Sequence, residues 1–201
     1  MSPAFTNDPL NGPSDIVAAA NGVCLRPMRE SDIDERYLSW FRDSEVTKYL
    51  ESRHITADDA LEFLRWGHQT QKRFIYAICL ADSGLHIGNV KIGDIRTKSM
   101  VSDLVTVIGD RQHWGKGYAA TAIRLAIGLA FDTHGIRKLS AGIYSNNVGS
   151  LKAYTRAGFL VEAVLHAHDI GPDGMNDRIV IACFNPRMHP AVPAFPLPLP
   201  V

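Results

Sequence analysis

An α/β (α+β) fold, with a mixed and mostly antiparallel central sheet and helices on both of its faces, is what this 201-residue sequence predicts. Three observations carry that expectation. Apolar runs of strand length alternate with segments whose apolar residues recur at helical spacing. Short turn signals join several of the runs, which makes those neighbours antiparallel, while helical segments intervene between others. A glycine-rich turn, Gly115-Lys116-Gly117, links one strand to the longest helical pattern.

Taken in order, residues 1–21 read as a flexible N-terminal arm carrying Pro3, Pro9 and Pro13, with Ile16–Ala20 its one stretch able to pack. The folded domain is expected over residues 22–185, beginning with a strand at Val23–Arg26. Ser31, with Asp34 as its capping-box partner, opens a helix to about Arg42, in which Ile33, Tyr37, Leu38 and Phe41 form the apolar stripe. Thr56 with Asp59 opens a second helix to about Gln71. Phe74–Leu80 is a strand, and Asp82-Ser83-Gly84 turns it into a second one within Leu85–Ile95. After a turn at Arg96–Ser99, Val101–Ile108 is the strand that enters the glycine turn. The long helix follows from Gly117 to about Thr133, where Ala119, Ile123, Ile127 and Phe131 repeat every four residues. Leu139, Ala141 and Ile143 alternate on a strand, and Asn147 caps a short helix that Gly158 ends. Phe159–His168 and Arg178–Phe184 form a last hairpin around Gly171–Gly174. Residues 186–201 form a proline-rich C-terminal tail, which can propagate neither helix nor sheet.

Composition excludes several classes. Lys plus Arg number 21 and Asp plus Glu number 21, so no charge imbalance drives the chain toward nucleic acid or an anionic membrane. No apolar run approaches the roughly 18 residues of a membrane span, and the N-terminus lacks a secretory pattern. The cysteines Cys24, Cys79 and Cys183 are distant in sequence and odd in number, which fits buried thiols in a cytoplasmic protein. No Cys/His cluster suggests a metal site, and His166 and His168, which alternate on one strand and could form a site, read as exposed or structural histidines.

The chemistry concentrates in Gln112-His113-Trp114-Gly115-Lys116-Gly117-Tyr118-Ala119. The first amides of a helix have no partner within it and carry the positive end of its dipole, so such a turn suits a pyrophosphate. Each amide bonded to a charged acceptor contributes roughly 1.5–3 kcal/mol. The turn is neither a P-loop nor a dinucleotide-binding G-x-G-x-x-G.

The pattern Q-x-x-G-x-G, followed by Tyr118-Ala119, resembles the acetyl-CoA signature of the GCN5-related N-acetyltransferase superfamily. Asn147 to Phe159 resembles that superfamily's later N-x-x-(S/A)…Y…GF segment, one helix and one strand further on. The resemblance spans roughly Val23 to Phe184. It implies acetyl-CoA as cosubstrate and a central strand that splays from its neighbour to receive the pantetheine arm. It places the arm on the backbone of Val107 and Ile108, with Val105 nearby, and the diphosphate on Gln112, Trp114, Gly115, Lys116, Gly117, Tyr118 and Ala119. Asn147 would contact the arm or position a water at the catalytic centre, and Tyr154, protonated at neutral pH, would be the general acid for the leaving thiolate. Asp103 and Asp94 are candidate bases.

Trp40 to Arg53 resembles the W-x-x-D-x-x-V stretch of the branch related to ribosomal-protein N-terminal acetyltransferases. Together with residues 86–92 it also resembles relatives that acetylate amino sugars, and Arg53 is suited to a phosphate or carboxylate. The acceptor implied is a small-molecule amine or amino sugar, with a protein N-terminus as the alternative. Neutral charge speaks mildly against a polycationic acceptor. Relatives are commonly homodimers. A protein that binds acyl-CoA without turnover is the remaining alternative.

Overall fold

The computed structural model describes residues 16–51, 53–171 and 174–189. The arm's first fifteen residues, the proline tail from Pro190 onward and the centre of the Gly171–Gly174 turn lie outside them. Strands β1 (Ala18–Ala20), β2 (Val23–Pro27), β3 (Arg73–Leu80), β4 (His86–Gly93), β5 (Val101–Ile108), β6 (Lys138–Tyr144), β7 (Leu160–Gly171) and β8 (Gly174–Phe184) form one sheet in the order β1-β2-β3-β4-β5-β6-β8-β7. All neighbours are antiparallel except β5 and β6. Helices α1 (Glu35–Arg42), α2 (Ser44–Thr47) and α3 (Ala57–Thr70) precede β3, α4 (Tyr118–Gly128) follows β5, and α5 (Val148–Ala157) follows β6.

Two hydrophobic layers sandwich the sheet. On one side Ala122, Ile123 and Ala126 of α4 and Leu151, Tyr154 and Ala157 of α5 pack on Val23, Ile78, Ile92, Leu104, Leu139 and Ile181. On the other, Tyr37, Trp40, Val46, Ala60 and Leu64 from α1–α3 pack with Met28, against Ile75 and Val107. Burial of this apolar surface, at about 25 cal/mol per Å², is what holds the helices to the sheet.

The feature that matters for function is the divergence of β5 from β6. Strand β5 pairs with β4 over Leu104–Ile108, yet with β6 only over Val101–Asp103 against Lys138–Ser140. From Leu104 onward it runs away from β6 and presents an open edge.

Several local expectations shift. Ala18–Ala20, assigned to the arm, pair with Val23–Leu25 across the Asn21-Gly22 turn, and Val17 donates to Leu25 O at 2.9 Å. The Ser31/Asp34 box does not form. Asp32 instead receives the Arg26 guanidinium through two bonds of 2.6 Å and the Arg29 amide at 2.7 Å, which bends residues 30–32 into a 3₁₀ turn and leaves Asp34 to cap α1. The Thr56/Asp59 box is present as expected. The helix expected to reach Thr133 is α-helical to Gly128 and then widens into a π-turn over Leu129–Thr133. The last hairpin is longer than expected on both arms.

Candidate active site

Strand parity settles which peptide groups face the opening. Just beyond the Gly88–Ile108 pair, the Gly109 amide donates to Ile87 O at 2.9 Å. Alternate residues of a strand direct their peptide groups to the same side. Val105 and Val107 therefore bond to β4, whereas Leu104, Thr106 and Ile108 face the side that β6 has left. Two side-chain contacts agree with this parity. The Tyr154 hydroxyl donates to Leu104 O at 2.9 Å, and the Trp114 indole Nε1 donates to Ile108 O at 2.7 Å. This corrects the expectation for Val107, whose peptide groups are committed to the ladder and whose side chain packs toward α1–α3. Ile108 keeps an outward amide, but its carbonyl is taken by Trp114.

Tyr154 stands at the branch point itself. It is 4% exposed, its ring meets Phe159 edge-on, and its phenol is pushed above its ordinary value, chiefly by desolvation. Beside it lies Thr106, whose Oγ1 is buried and has no hydrogen-bond partner among the described residues. Thr106 escaped the sequence reading, although a polar residue on the strand face shared by Leu104 and Ile108 was a legible signal.

The glycine turn leads from the open edge into α4. Gly115 and Gly117 have φ of +75° and +81°, and a Cβ on either would meet no protein atom within 4 Å. Their glycine identity is thus demanded by backbone conformation, while the space in front of them stays free. Among the described residues, α1, α2, α3 and α5 each begin under a side chain that accepts a first-turn amide: Asp34, Asp43, Thr56 and Asn147. Helix α4 begins at Gly117 with no side-chain cap and no acidic residue in its first turn. Gln112, Trp114, Gly115, Lys116 and Gly117 are exposed, and Tyr118 and Ala119 are half-buried. The Gln112 amide is held by Asp110 at 3.0 Å.

Asn147 performs the plain capping role, accepting the Ser150 amide on Oδ1 at 3.1 Å, a bond that leaves its Nδ2 hydrogens uncommitted. The candidate bases lie together. Asp94 and Asp103 both line an open cavity of about 510 Å³ with Trp66, Lys72, Ile95 and Arg96. Each has a cationic partner: Arg73 grips Asp94 at 2.8 and 3.0 Å, and Lys91 is 3.0 Å from Asp103.

Trp40 to Arg53 secures the surroundings. The Trp40 ring rests on Gly109, where a Cβ would sit 2.1 Å from it. Tyr49 crosses to the end of β6, donating to Asn146 O at 3.4 Å with its ring 5.6 Å from that of Tyr144. Arg53 is exposed and donates to Lys48 O at 3.1 Å. Cys24 and Cys79, distant in sequence, are directly opposite on β2 and β3, and all three cysteines are buried. His166 is exposed and 3.1 Å from Asp177.

A family model described as an acetyltransferase (GNAT) domain matches residues 23–160, which includes the glycine turn, the open edge and Tyr154. The chain belongs to this GNAT acetyltransferase family. Among curated relatives, this GNAT chain is 25% identical over 118 residues to a probable N-acetyltransferase, YjcK, of Bacillus subtilis. That match covers 59% of the chain and 65% of the relative, so the chain spans just under two thirds of that protein's length. An uncharacterized N-acetyltransferase, p20, of Bacillus licheniformis is 25% identical over 73% of the chain and 84% of its own. Among solved structures, the spermidine N-acetyltransferase of Vibrio cholerae in complex with CoA and spermine has a TM-score of 0.74 at 18% identity, covering 82% of this chain and 96% of that one. The ribosomal-protein-S5-alanine acetyltransferase of Vibrio fischeri has a TM-score of 0.73 at 18% identity, covering 85% and 97%. At such identities the GNAT fold is shared, and two near-equal scores for different acceptors do not choose a branch.

Proposed function

We propose that this chain is an acetyl-CoA-dependent N-acetyltransferase that moves the acetyl group directly to a primary amine of a small molecule or an amino sugar. The observation that carries this reading is a juxtaposition: a helix start without a side-chain cap, under two positive-φ glycines, continuous with an open strand edge. Amides from Gly115 to Ala119 take the diphosphate, where helix polarity favours negative charge, since those of Gln112 and Trp114 are held by Asp110 Oδ1 and Arg111 O. Lys116 adds a cation at the same exposed turn. The outward amides of Thr106 and Ile108, in place of Val107, hold the pantetheine arm as a strand would. An amide on that edge is also positioned to donate to the thioester oxygen, an oxyanion-hole arrangement.

Tyr154 supplies the proton-bearing group for the departing sulfur. Its upward-shifted phenol is fully protonated at neutral pH, so it acts as a donor, exchanging the Leu104 carbonyl for sulfur. Asn147 contacts the arm through Nδ2. Asp94 or Asp103 receives the proton lost by the amine, through water.

For the acceptor, likeness to the Vibrio fischeri enzyme and the Trp40–Arg53 stretch favour a protein N-terminus as the second reading. Spermidine belongs in the same test because a spermidine enzyme shares the fold. Thiol release from acetyl-CoA, measured with amino sugars, simple primary amines, spermidine and an alanyl peptide, decides between them. Turnover confined to small amines or amino sugars supports the first reading, and turnover confined to the peptide supports the second. Tight CoA binding with no turnover on any amine, and no effect of Tyr154→Phe, would leave a binding protein in place of an enzyme.

A further inference from the structure

Thr106 is the unexplained group at the centre of the site. A buried hydroxyl without a partner is costly, and native proteins keep such groups sparingly. The Thr106 Oγ1 is one of two buried side-chain polar atoms without a hydrogen-bond partner among the described residues. The other, His113 Nδ1, lies 3.2 Å from Asp110 Oδ2 and so has a carboxylate at hand. Thr106 lies beside the Tyr154 hydroxyl, but that hydroxyl gives its proton to Leu104 O. Its backbone faces the open edge of β5 by strand parity, its hydroxyl adjoins that of Tyr154, and β6 has already diverged two residues earlier. Packing alone does not account for a threonine here. Leu104 and Ile108, on the same strand face, contribute to the apolar core beneath α4 and α5, and valine would fill the Thr106 position with the same shape.

We infer that the Thr106 hydroxyl is a ligand-binding group that hydrogen-bonds the sulfur end of the pantetheine arm, next to Tyr154. This rests on the acetyl-CoA reading above. On this assignment Leu104 O is the resting acceptor for Tyr154, and Thr106 is the polar contact reserved for the arm. The two hydroxyls then flank the sulfur, one from β5 and one from α5.

The test uses the full chain, calorimetry and two ligands: CoA, and 3′-phosphoadenosine 5′-diphosphate, the nucleotide half without pantetheine. Thr106→Val is expected to bind CoA about three- to tenfold more weakly, the value of one hydrogen bond. Its affinity for the nucleotide half should stay within about twofold, because the glycine turn is untouched. Its melting temperature should be unchanged or higher, since an unpaired buried hydroxyl is removed. Thr106→Ser should recover most of the CoA affinity. Equal CoA affinity in wild type and Thr106→Val overturns the assignment, as does equal weakening of both ligands or a lowered melting temperature in Thr106→Val. Failure of the wild type to bind either ligand overturns the acetyl-CoA reading and this assignment with it.

Discussion

Replacing Tyr154 by phenylalanine removes one oxygen from the branch point and should be felt twice, in stability and in catalysis. The hydroxyl donates to Leu104 O at 2.9 Å, and that carbonyl faces the side where β6 no longer supplies a strand partner. The residue is only 4% exposed, so the orphaned carbonyl would not readily regain water. Leaving such a group unpaired costs about 1–3 kcal/mol, above the roughly 0.5–1.5 kcal/mol net value of an ordinary hydrogen bond. For a domain of this size each kcal/mol lowers the melting temperature by roughly 2–4 °C. Urea unfolding of the two proteins, with the slope checked for constancy, gives the difference directly. A change within about 0.3 kcal/mol would refute the claim that this hydroxyl holds the strand where it diverges. Activity, measured well below the transition, should fall by about 10²–10⁴-fold if the same hydroxyl serves the leaving sulfur. Lost stability with an unchanged rate would leave Tyr154 as a strut and remove its catalytic role.

Two further outcomes follow from the packing and titration of the domain. Gly109→Ala places a methyl group 2.1–2.4 Å from three atoms of the buried Trp40 ring, so the ring must shift. Overpacking of this kind costs about 1–3 kcal/mol, visible as an earlier urea midpoint, and an unchanged midpoint would mean that Trp40 does not rest on this glycine. His134 stacks on Phe74 with centroids 3.7 Å apart, shares a 2.7 Å hydrogen bond between its Nε2 and the Tyr76 hydroxyl, and is pushed down by burial from 6.5 to about 4. Its folded-state value lies below its unfolded one, so the neutral ring's contribution is complete above pH 6.5 and is lost as the pH falls through about 4. Urea midpoints measured from pH 7 to 4 should decline less steeply in His134→Gln, and parallel profiles would place the acid sensitivity elsewhere.

How much of this was legible in the sequence depends on how local each determinant is. Thr56/Asp59, Asn147 with Gly158, and the positive-φ glycines of the 115–117 turn act within a few residues, and they appear where the sequence places them. Ser31/Asp34 had the same local signature and lost to a contact from a neighbouring strand, because Arg26 and the Arg29 amide claim Asp32 and move the cap onward. Strand β1 is three alanines with no alternation to announce it, and it exists by pairing with β2. Val107 illustrates a different limit. A strand's sequence gives two faces and two edges, but which edge is open depends on the partner strand, here the Gly109–Ile87 bond that fixes the parity. Trp114 closing on Ile108 O likewise depends on how the chain turns after β5.

Titration of the wild-type protein with coenzyme A in a calorimeter, beside Gly117→Val, addresses the phosphate-binding role of the glycine turn most directly. A Cβ at residue 117 meets no protein atom within 4 Å but the residue must adopt φ near +81°, so the variant should remain folded with a distorted start to α4. Wild type should bind with measurable heat, and the variant at least about tenfold more weakly, the loss of one amide bond to a charged acceptor. Silence from the folded wild-type protein, or equal affinity in the variant, would contradict the assignment of this turn to a diphosphate.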